Sequence, residues 1–261
     1  MPPIVFTCAH VLIDGYDFSQ QFTDLEVNRA SEDLDVSGMG SNTRKHKGGV
    51  HDVSITGKGH LSLESSQMDP VIFGKVGTDA QLVTAFVNGI PWVACSTTGG
   101  YGVSVVSLKH TPGGSYGTLL PFDLDIKAQG DLVHAVVLDN ALSTQWQPGA
   151  NNGTAVPLST SGMSTGEKLY GGFHITAMST ALAGAGVTAV IAAASSSGFA
   201  TSNTRITFSA KTCKSGTWAT PIASSALSTD QPFVRAVITL ATSTAVSTGN
   251  VASGLVWVGH Q

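Results

Sequence analysis

Apolar and polar residues alternate along the first half of the chain. The alternation is strictest where Phe122, Leu124 and Ile126 take turns with Asp123 and Asp125. A period of two places successive side chains on opposite faces of a β-strand. The same period recurs in two earlier segments that glycines and turn residues bound. The first half therefore predicts antiparallel strands, each with one buried face and one polar face.

One segment between these strands has no apolar period. Residues 35–50 contain four glycines and the basic residues Arg44, Lys45 and Lys47. Connections of such length within a compact domain usually carry a function or become ordered on a partner. We therefore expect a long exposed loop over residues 35–50.

The composition changes near the middle of the chain. Residues 143–168 are rich in Pro, Gly, Asn, Ser and Thr, which predicts a linker at 146–163. Short β-patterned segments follow at even spacing, which is typical of a β-sandwich. The only helix predicted before residue 80 begins near Ser65–Ser66. The expected fold is all-β: an antiparallel sandwich or barrel with a short flanking helix over 1–145, and a second β-sandwich over 164–261.

Charged residues are few and unevenly distributed. They make up 11% of the chain, against ~25% in a typical globular protein. Residues 1–150 hold 15 acidic and 8 basic residues, a balance of −7; residues 151–261 hold 2 and 5, a balance of +3. Neither half is basic enough for a nucleic-acid clamp. A low charge content also fits a surface that is buried against other subunits.

The cysteines and the apolar segments indicate the kind of cellular compartment in which the chain folds. Cys8, Cys95 and Cys213 lie far apart without a CxxC spacing, so we expect free, buried thiols in a reducing environment. The first residues lack the cationic start and apolar run of an export signal. The stretch 175–194 approaches the length of a membrane span, but its Gly, Thr and Ser content favours two buried strands over membrane insertion.

Enzymatic motifs are missing from the sequence. The eight histidines are scattered without a metal-ligand spacing, and neither a GxSxG elbow nor a phosphate-binding P-loop occurs. Asp123 and Asp125 lie ~6.6 Å apart on one strand face, a separation that would suit a glycosidase pair. Such pairs normally come from different strands that line an aromatic cleft, and nothing else here indicates one. We therefore expect neither an enzyme nor a bound cofactor or metal.

Residues 11–61 carry a recognisable pattern. Hydrophobic residues precede an Asp–Gly pair, and an arginine, an acidic residue, an Asp–Val–Ser element and a Met–Gly element follow it along the chain. This pattern resembles the major tail tube proteins of long-tailed, non-contractile bacteriophages. The resemblance spans roughly residues 4–140, and residues 160–261 have no comparable match. The elements that carry the resemblance are Asp14–Gly15, Asp17, Ser19, Arg29, Glu32 or Asp33, Asp35–Val36–Ser37, Met39–Gly40, Gly49–Val50 and Asp52.

The resemblance implies a virion protein that is made in the host cytoplasm and placed in the tail. Two packed antiparallel sheets with a flanking helix, over 1–145, would join neighbours in hexameric rings. Stacked rings would contact other tail proteins and form a tube through which genomic DNA passes without specific binding. The residues 164–261 would be displayed on the outside, and no membrane insertion is implied.

The resemblance also suggests roles for charged residues. An acidic bore would repel DNA and lower its friction, and the candidates for that wall are Asp123, Asp125 and Asp131. The alternative is that many of the acids are turn formers or guards of strand edges, and this alternative is favoured for Asp14 and Asp17. The bases of the predicted loop, Arg44, Lys45 and Lys47, are expected to reach an adjacent subunit.

Two other classes of protein fit the same composition. A capsid decoration or cement protein would also combine β domains with low charge, but would form trimers on heads. A carbohydrate-binding adhesin module could use Trp218 and Trp257 to stack on sugar rings. Core packing is the favoured interpretation of both tryptophans.

Overall fold

The fold was analysed in a computed structural model of the chain. It describes residues 10–37, 43–64, 67–78, 81–86, 100–115, 119–158, 167–179, 186–219, 222–223, 231–240 and 251–260.

Antiparallel strands dominate these residues, which confirms the all-β prediction, and one short helix accompanies them. In chain order the elements are β1 (His10–Ile13), β2 (Tyr16–Asp17), β3 (Phe22–Asp35), β4 (His46–His60), α1 (Met68–Lys75), β5 (Gln81–Phe86), β6 (Gly100–Pro112), β7 (Pro121–Ala128), β8 (Val133–Asn140), β9 (Gly149–Asn152), β10 (Val156–Pro157), β11 (Lys168–Met178), β12 (Val187–Ala194), β13 (Asn203–Thr207), β14 (Ser215–Trp218), β15 (Ile222–Ala223), β16 (Phe233–Leu240) and β17 (Ala252–His260).

The chain forms two compact units. Unit 1 comprises Met1–Gln20, Gln81–Val103 and Val133–Gln261, and unit 2 comprises Gln21–Ala80 and Ser104–Leu132. These boundaries differ from the predicted domains 1–145 and 164–261. The assignment of those two ranges to a ring-forming part and an outward part stays a prediction.

Unit 1 contains a β-sandwich. One of its sheets runs β14-β11-β17-β8, and the other runs β10-β16-β12-β13 with β9 beside β16. Side chains such as Phe173, Ile191 and Ile238 fill the space between the sheets. The opposite face of the β11-β17-β8 sheet is also covered, by a second cluster that includes Leu12 and Leu82. Because β17 is buried on both faces, its sequence is an apolar run rather than an alternation.

The sandwich of unit 1 uses more of the chain than the sequence predicted. β8 pairs with β17, and Val137 and Leu138 of β8 are buried. The predicted linker at 146–163 also contributes: Trp146 is 3% exposed, and β9 and β10 pair with β16. Backbone pairing within the sheet therefore uses residues that local composition marks only as turns.

Unit 2 is a four-stranded antiparallel sheet, in the order β3-β4-β7-β6, with α1. The alternation in β7 is confirmed, because Phe122, Leu124 and Ile126 are buried and Asp123 is exposed. These buried side chains lie opposite Gly59, Gly57 and Ile55 of β4. One face of the sheet therefore forms the core of this unit, and the other face is polar.

The predicted helix is present as α1. Met68 and Ile72 are buried, and the Met68 N–H, which has no partner within the helix, donates to Gln21 Oε1 at 3.0 Å. The Val76 N–H closes the last turn on Ile72 O, and Gly77 follows with a φ of 81°. The expected start near Ser65–Ser66 lies outside the described residues.

The prediction of an exposed loop over residues 35–50 is wrong about the length of that loop. Asp35 ends β3, residues 46–50 belong to β4, and the two strands pair out to Asp35 and His46. Both faces of this part of the hairpin are exposed, so its side chains show no apolar alternation. Cross-strand hydrogen bonding, which does not depend on side-chain polarity, extends the strands.

The stretch 175–194 supplies β11 and β12, as expected for two buried strands. Among the described helices, none is long and apolar enough to cross a membrane. Cys213 is a free thiol but is exposed, so the expectation of burial is wrong for it, whereas Cys8 and Cys95 lie outside the described residues.

Candidate functional site

The polar face of the unit 2 sheet brings charged residues of four strands into register. In one row, Asp24 of β3 lies opposite Lys58 of β4, which lies opposite Asp123 of β7. In the next row, Asp125 of β7 lies opposite Lys109 of β6. Directly opposed residues in antiparallel strands share a face. We call this surface the polar face; its charged members are Asp24, Glu26, Asp52, Lys58, Lys109, Asp123, Asp125 and Lys127.

The polar face carries both signs of charge. Five carboxylates and three lysines give it a net charge of −2. Lys127 Nζ lies 3.9 Å from Asp52 Oδ2, an exposed ion pair of a kind that contributes little to stability. Sequence reasoning selected Asp123 and Asp125 but missed Lys58 and Lys109, because only the strand register reveals which residues of β4 and β6 are their neighbours.

The structure places two of the three predicted luminal acids, Asp123 and Asp125, on the polar face and the third, Asp131, outside it. Asp123 is exposed and Asp125 is half-buried, and the Oδ1 atom of Asp125 is buried without a hydrogen-bond partner in the described part of the chain. Asp131 lies between β7 and β8, outside the register of the polar face. β7 pairs with β4 and β6, whereas β8 pairs with β17 and β6.

Beyond the polar face, β3 and β4 continue as an arm. We define the arm as residues 28–37 and 43–52, beyond the last pairing of β4 with β7 at Ser54. Eight residues of β3, at ~3.3 Å each, make it about 25 Å long. Within the described residues each arm strand pairs only with the other, so no third strand pairs with either outer edge. Leu34 and Val50 are 42% and 78% exposed on it.

The predicted loop bases lie at the end of this arm. Lys45 closes the hairpin, since its N–H donates to Ser37 Oγ at 2.8 Å and its carbonyl accepts from the Val36 N–H. Lys47 lies opposite Leu34, and Arg44 is exposed. The structure therefore brings Arg44, Lys45 and Lys47 together at one exposed tip. Their expected contact with an adjacent subunit stays a prediction.

Three acids of the resembling segment form turns. Asp14 has a φ of 48° and its Oδ1 accepts from the Gly216 N–H at 2.7 Å, while Asp17 Oδ1 accepts from the Ser19 N–H at 3.0 Å. Asp35 Oδ1 accepts from the Ser37 N–H at 2.9 Å. Hydrogen bonds from the side chain and the backbone of Ser37 lower the pKa of the Asp35 carboxyl. The turn-forming interpretation of Asp14 and Asp17 is confirmed.

A buried histidine, which sequence reasoning missed, holds unit 1 together. The His174 Nδ1 accepts from the Gly15 N–H at 3.3 Å, so its proton lies on Nε2, which donates to Thr84 Oγ1 at 2.8 Å. The same Thr84 oxygen accepts from Trp257 Nε1 at 2.9 Å. Burial lowers the pKa of His174 to about 3. No spacing signal marks these residues, which the strand pairing brings together.

The tryptophans belong to this packed region. Trp257 is fully buried, and Trp218 packs edge-on against it with ring centroids 5.7 Å apart. The core-packing interpretation is confirmed for Trp257, which cannot stack on a sugar. Trp218 is half-buried and contacts Tyr170 on its other side.

Unit 2 also contains a shielded histidine. Burial lowers the pKa of His110, an effect that Asp69 at 3.6 Å partly offsets. No group of three or more His, Cys, Asp or Glu side chains that could hold a metal ion occurs in the part of the chain that the structure describes.

Comparisons with known proteins give distant structural similarities alone. No family model and no curated protein matches the sequence. A chain of the virion of a native gene transfer agent particle is 18% identical, with a TM-score of 0.36, over 48% of this chain and 94% of that one. The Dit (gp 19.1) protein of phage SPP1 is 8% identical, with a TM-score of 0.38, over 98% of this chain and 100% of that protein. A chain of the PVC contractile injection system sheath/tube terminator is 11% identical, with a TM-score of 0.39, over 51% and 97%. These values are too low to assign a family or a function.

Proposed function

We propose that the chain is a structural protein of a bacteriophage tail and, more specifically, the major subunit of its tail tube. The proposal is supported by the pattern in residues 11–61, by the antiparallel all-β fold with one short helix, and by the low content of charged residues. In this role six copies form a ring, rings stack into a tube, and genomic DNA passes through the bore. Other tail proteins bind at the ends of the tube.

The arm is the observation that carries this proposal. An unpaired strand edge presents a row of free N–H and C=O groups, which proteins normally cover or shorten because other chains pair with it. Here two such edges run along about 25 Å of hairpin, with Val50 78% exposed beside them. Pairing with another subunit satisfies those backbone groups and buries the apolar side chains.

The polar face is the proposed wall of the bore, with Asp123 and Asp125 among its carboxylates. Its net charge of −2 repeats in every subunit of a ring and gives a negative wall around the DNA. Screening limits this repulsion to ~8 Å at physiological salt, so it acts on DNA that nearly fills the bore. Asp131, which lies outside the polar face between β7 and β8, is proposed as a third acid that faces the bore.

The two predicted domains keep their proposed roles with one refinement. Unit 2, with its arm and polar face, lies within residues 1–145, the proposed ring-forming range. Residues 164–261, displayed outwards, share their sandwich with β8. Because cutting the chain at residue 145 would expose buried side chains of β8, the ring contacts are best tested in the full chain.

The experiment uses the purified full chain and a variant with Arg44, Lys45 and Lys47 changed to Ser. Negative-stain micrographs of the unaltered protein should show tubes. The variant should form shorter tubes or isolated rings, because the arm tip loses the charge with which it meets acidic residues of its neighbour. Its urea unfolding should change by less than ~0.5 kcal/mol, since the three side chains are exposed.

A matched triple variant controls for the loss of three positive charges. Lys168, Lys211 and Lys214 lie in unit 1, and changing them to Ser should leave tube length as in the unaltered protein. Particles with three-fold symmetry, or a chain that stays monomeric at all concentrations, would contradict the tail tube proposal. Tubes of unchanged length in the arm variant would remove the arm tip from the assembly contacts.

A further inference from the structure

A polar cavity of about 340 Å³ lies in unit 1, where β8 ends and β9 runs past it. Its walls are held by backbone hydrogen bonds: the Ala141 N–H donates to Gly254 O at 2.9 Å, and the Trp146 and Gly153 N–H groups donate to Ala252 O and Ala236 O at 2.8 Å. Small-molecule sites typically measure ~300–1,000 Å³, so this cavity suits a ligand of about one ring.

Among the described residues that line the cavity, Asp139 alone is charged. Its Oδ1 accepts from Trp146 Nε1 at 2.8 Å, while its Oδ2 accepts no hydrogen bond from the described residues. A Cβ at Gly153 would stand 3.2 Å from that Oδ2 and 2.5 Å from Leu138 O, so glycine keeps the oxygen uncovered. Burial raises the pKa of the Asp139 carboxyl, in the direction expected of a carboxylate that lacks a cationic partner.

The other free groups in the wall are neutral. Thr144, Asn152 and Thr154 are exposed, and their side chains make no hydrogen bond within the described part of the chain. Two hydroxyls and an amide both donate and accept hydrogen bonds, whereas the open carboxylate oxygen only accepts. None of the described lining residues is basic, so these residues offer an anionic ligand no counter-charge. The indole of Trp146 is 3% exposed, so a ligand here is selected by hydrogen bonds rather than by stacking.

We propose that this cavity binds a neutral sugar residue, with the open Asp139 oxygen accepting from ligand hydroxyls and Asn152, Thr144 and Thr154 completing the contacts. Adjacent hydroxyls of a sugar present the donors that a lone carboxylate oxygen requires. A neutral ring that carries several hydroxyls also matches the mixture of donors and acceptors in the wall. The proposal uses residues outside the arm and the polar face, so it holds or fails independently of tube assembly.

Saturation-transfer difference NMR on the full chain tests the proposal. The probes are methyl α-glucopyranoside, methyl α-galactopyranoside and N-acetylglucosamine, each titrated into the low-millimolar range. At least one probe should bind. Asp139→Asn keeps an acceptor for Trp146 but removes the charge, and it should weaken binding about tenfold; the exposed Asn152→Ala should weaken it about fivefold. Asn203→Ala, which removes an exposed asparagine on β13, should bind as the unaltered chain does.

Urea unfolding of each variant shows whether a loss of binding comes from a loss of fold. The proposal is overturned if none of the three probes binds the unaltered chain, or if either cavity variant binds as well as the unaltered chain. Binding that Asn203→Ala also removes would place the sugar elsewhere and overturn the proposal too.

Discussion

Protonation of His174 should make unit 1 labile to acid. The ring is fully buried, its Nδ1 is occupied by the Gly15 N–H, and its Nε2–H binds Thr84. A second ring proton would point at a backbone donor and would place a charge in an apolar region. The folded protein therefore resists protonation down to about pH 3, whereas the unfolded chain takes up this proton near its ordinary pKa of 6.5.

Proton linkage gives the direction in which the free energy of unfolding changes with pH. Between pH 6.5 and about 3 the unfolded state binds more protons at this site, so the free energy of unfolding falls as the pH falls. Each pH unit well inside that window costs ~1.4 kcal/mol, and between about pH 7.5 and about pH 4.5 the loss comes to roughly 2.5 kcal/mol. A loss of that size is a large part of the ~5–15 kcal/mol by which most domains are stable.

Urea unfolding followed by tryptophan fluorescence at both pH values measures this loss, since Trp257 lies in the same hydrogen-bonded group. His174→Asn keeps an acceptor for Gly15 but does not titrate. It should be less stable at neutral pH and should lose roughly 2.5 kcal/mol less than the unaltered chain on acidification. His134→Asn, at an exposed position of β8, should follow the unaltered chain. Equal losses in the His174 variant and the unaltered chain would refute the reasoning.

Two further predictions concern carboxylates. Burial raises the pKa of Asp139, so the charge of this carboxylate destabilises the fold above its ordinary pKa of 3.8. Asp139→Asn should therefore be at least as stable as the unaltered chain at neutral pH, and this advantage should disappear as the pH falls toward 4. A variant that is less stable at neutral pH would contradict this prediction. Asp123→Lys with Asp125→Lys changes the polar face from −2 to +2 by converting two of its five carboxylates. Tubes of this variant should retain double-stranded DNA in a salt-dependent manner in a gel-shift assay, whereas tubes that release DNA like the unaltered ones would exclude these residues from the bore wall.

The parts of the fold that could be predicted are those with a buried face. Phe122, Leu124 and Ile126 alternate with polar residues because β7 has a core on one side only. The segments of β11, β12 and β16 stand out because residue types that favour turns bound their apolar residues in the sequence. The arm could not be predicted in this way, since neither of its faces is buried. The linker prediction at 146–163 missed β9 and β10 for a related reason: short strands rich in Asn and Gly resemble turns until a partner strand is known.

The amino-acid sequence by itself determined the all-β class, the position of helix α1, the turns at Asp14 and Asp17 and the burial of Trp257. Each of these depends on local geometry or on burial, which composition and period report directly. Only the tertiary structure decided which residues meet. It placed Lys58 and Lys109 beside the acids of β7, His174 against Gly15 and Thr84, and Asp139 in a polar cavity. Strand register and long-range pairing set these contacts, and the alternation along one strand shows which face is buried but does not identify the partner strand.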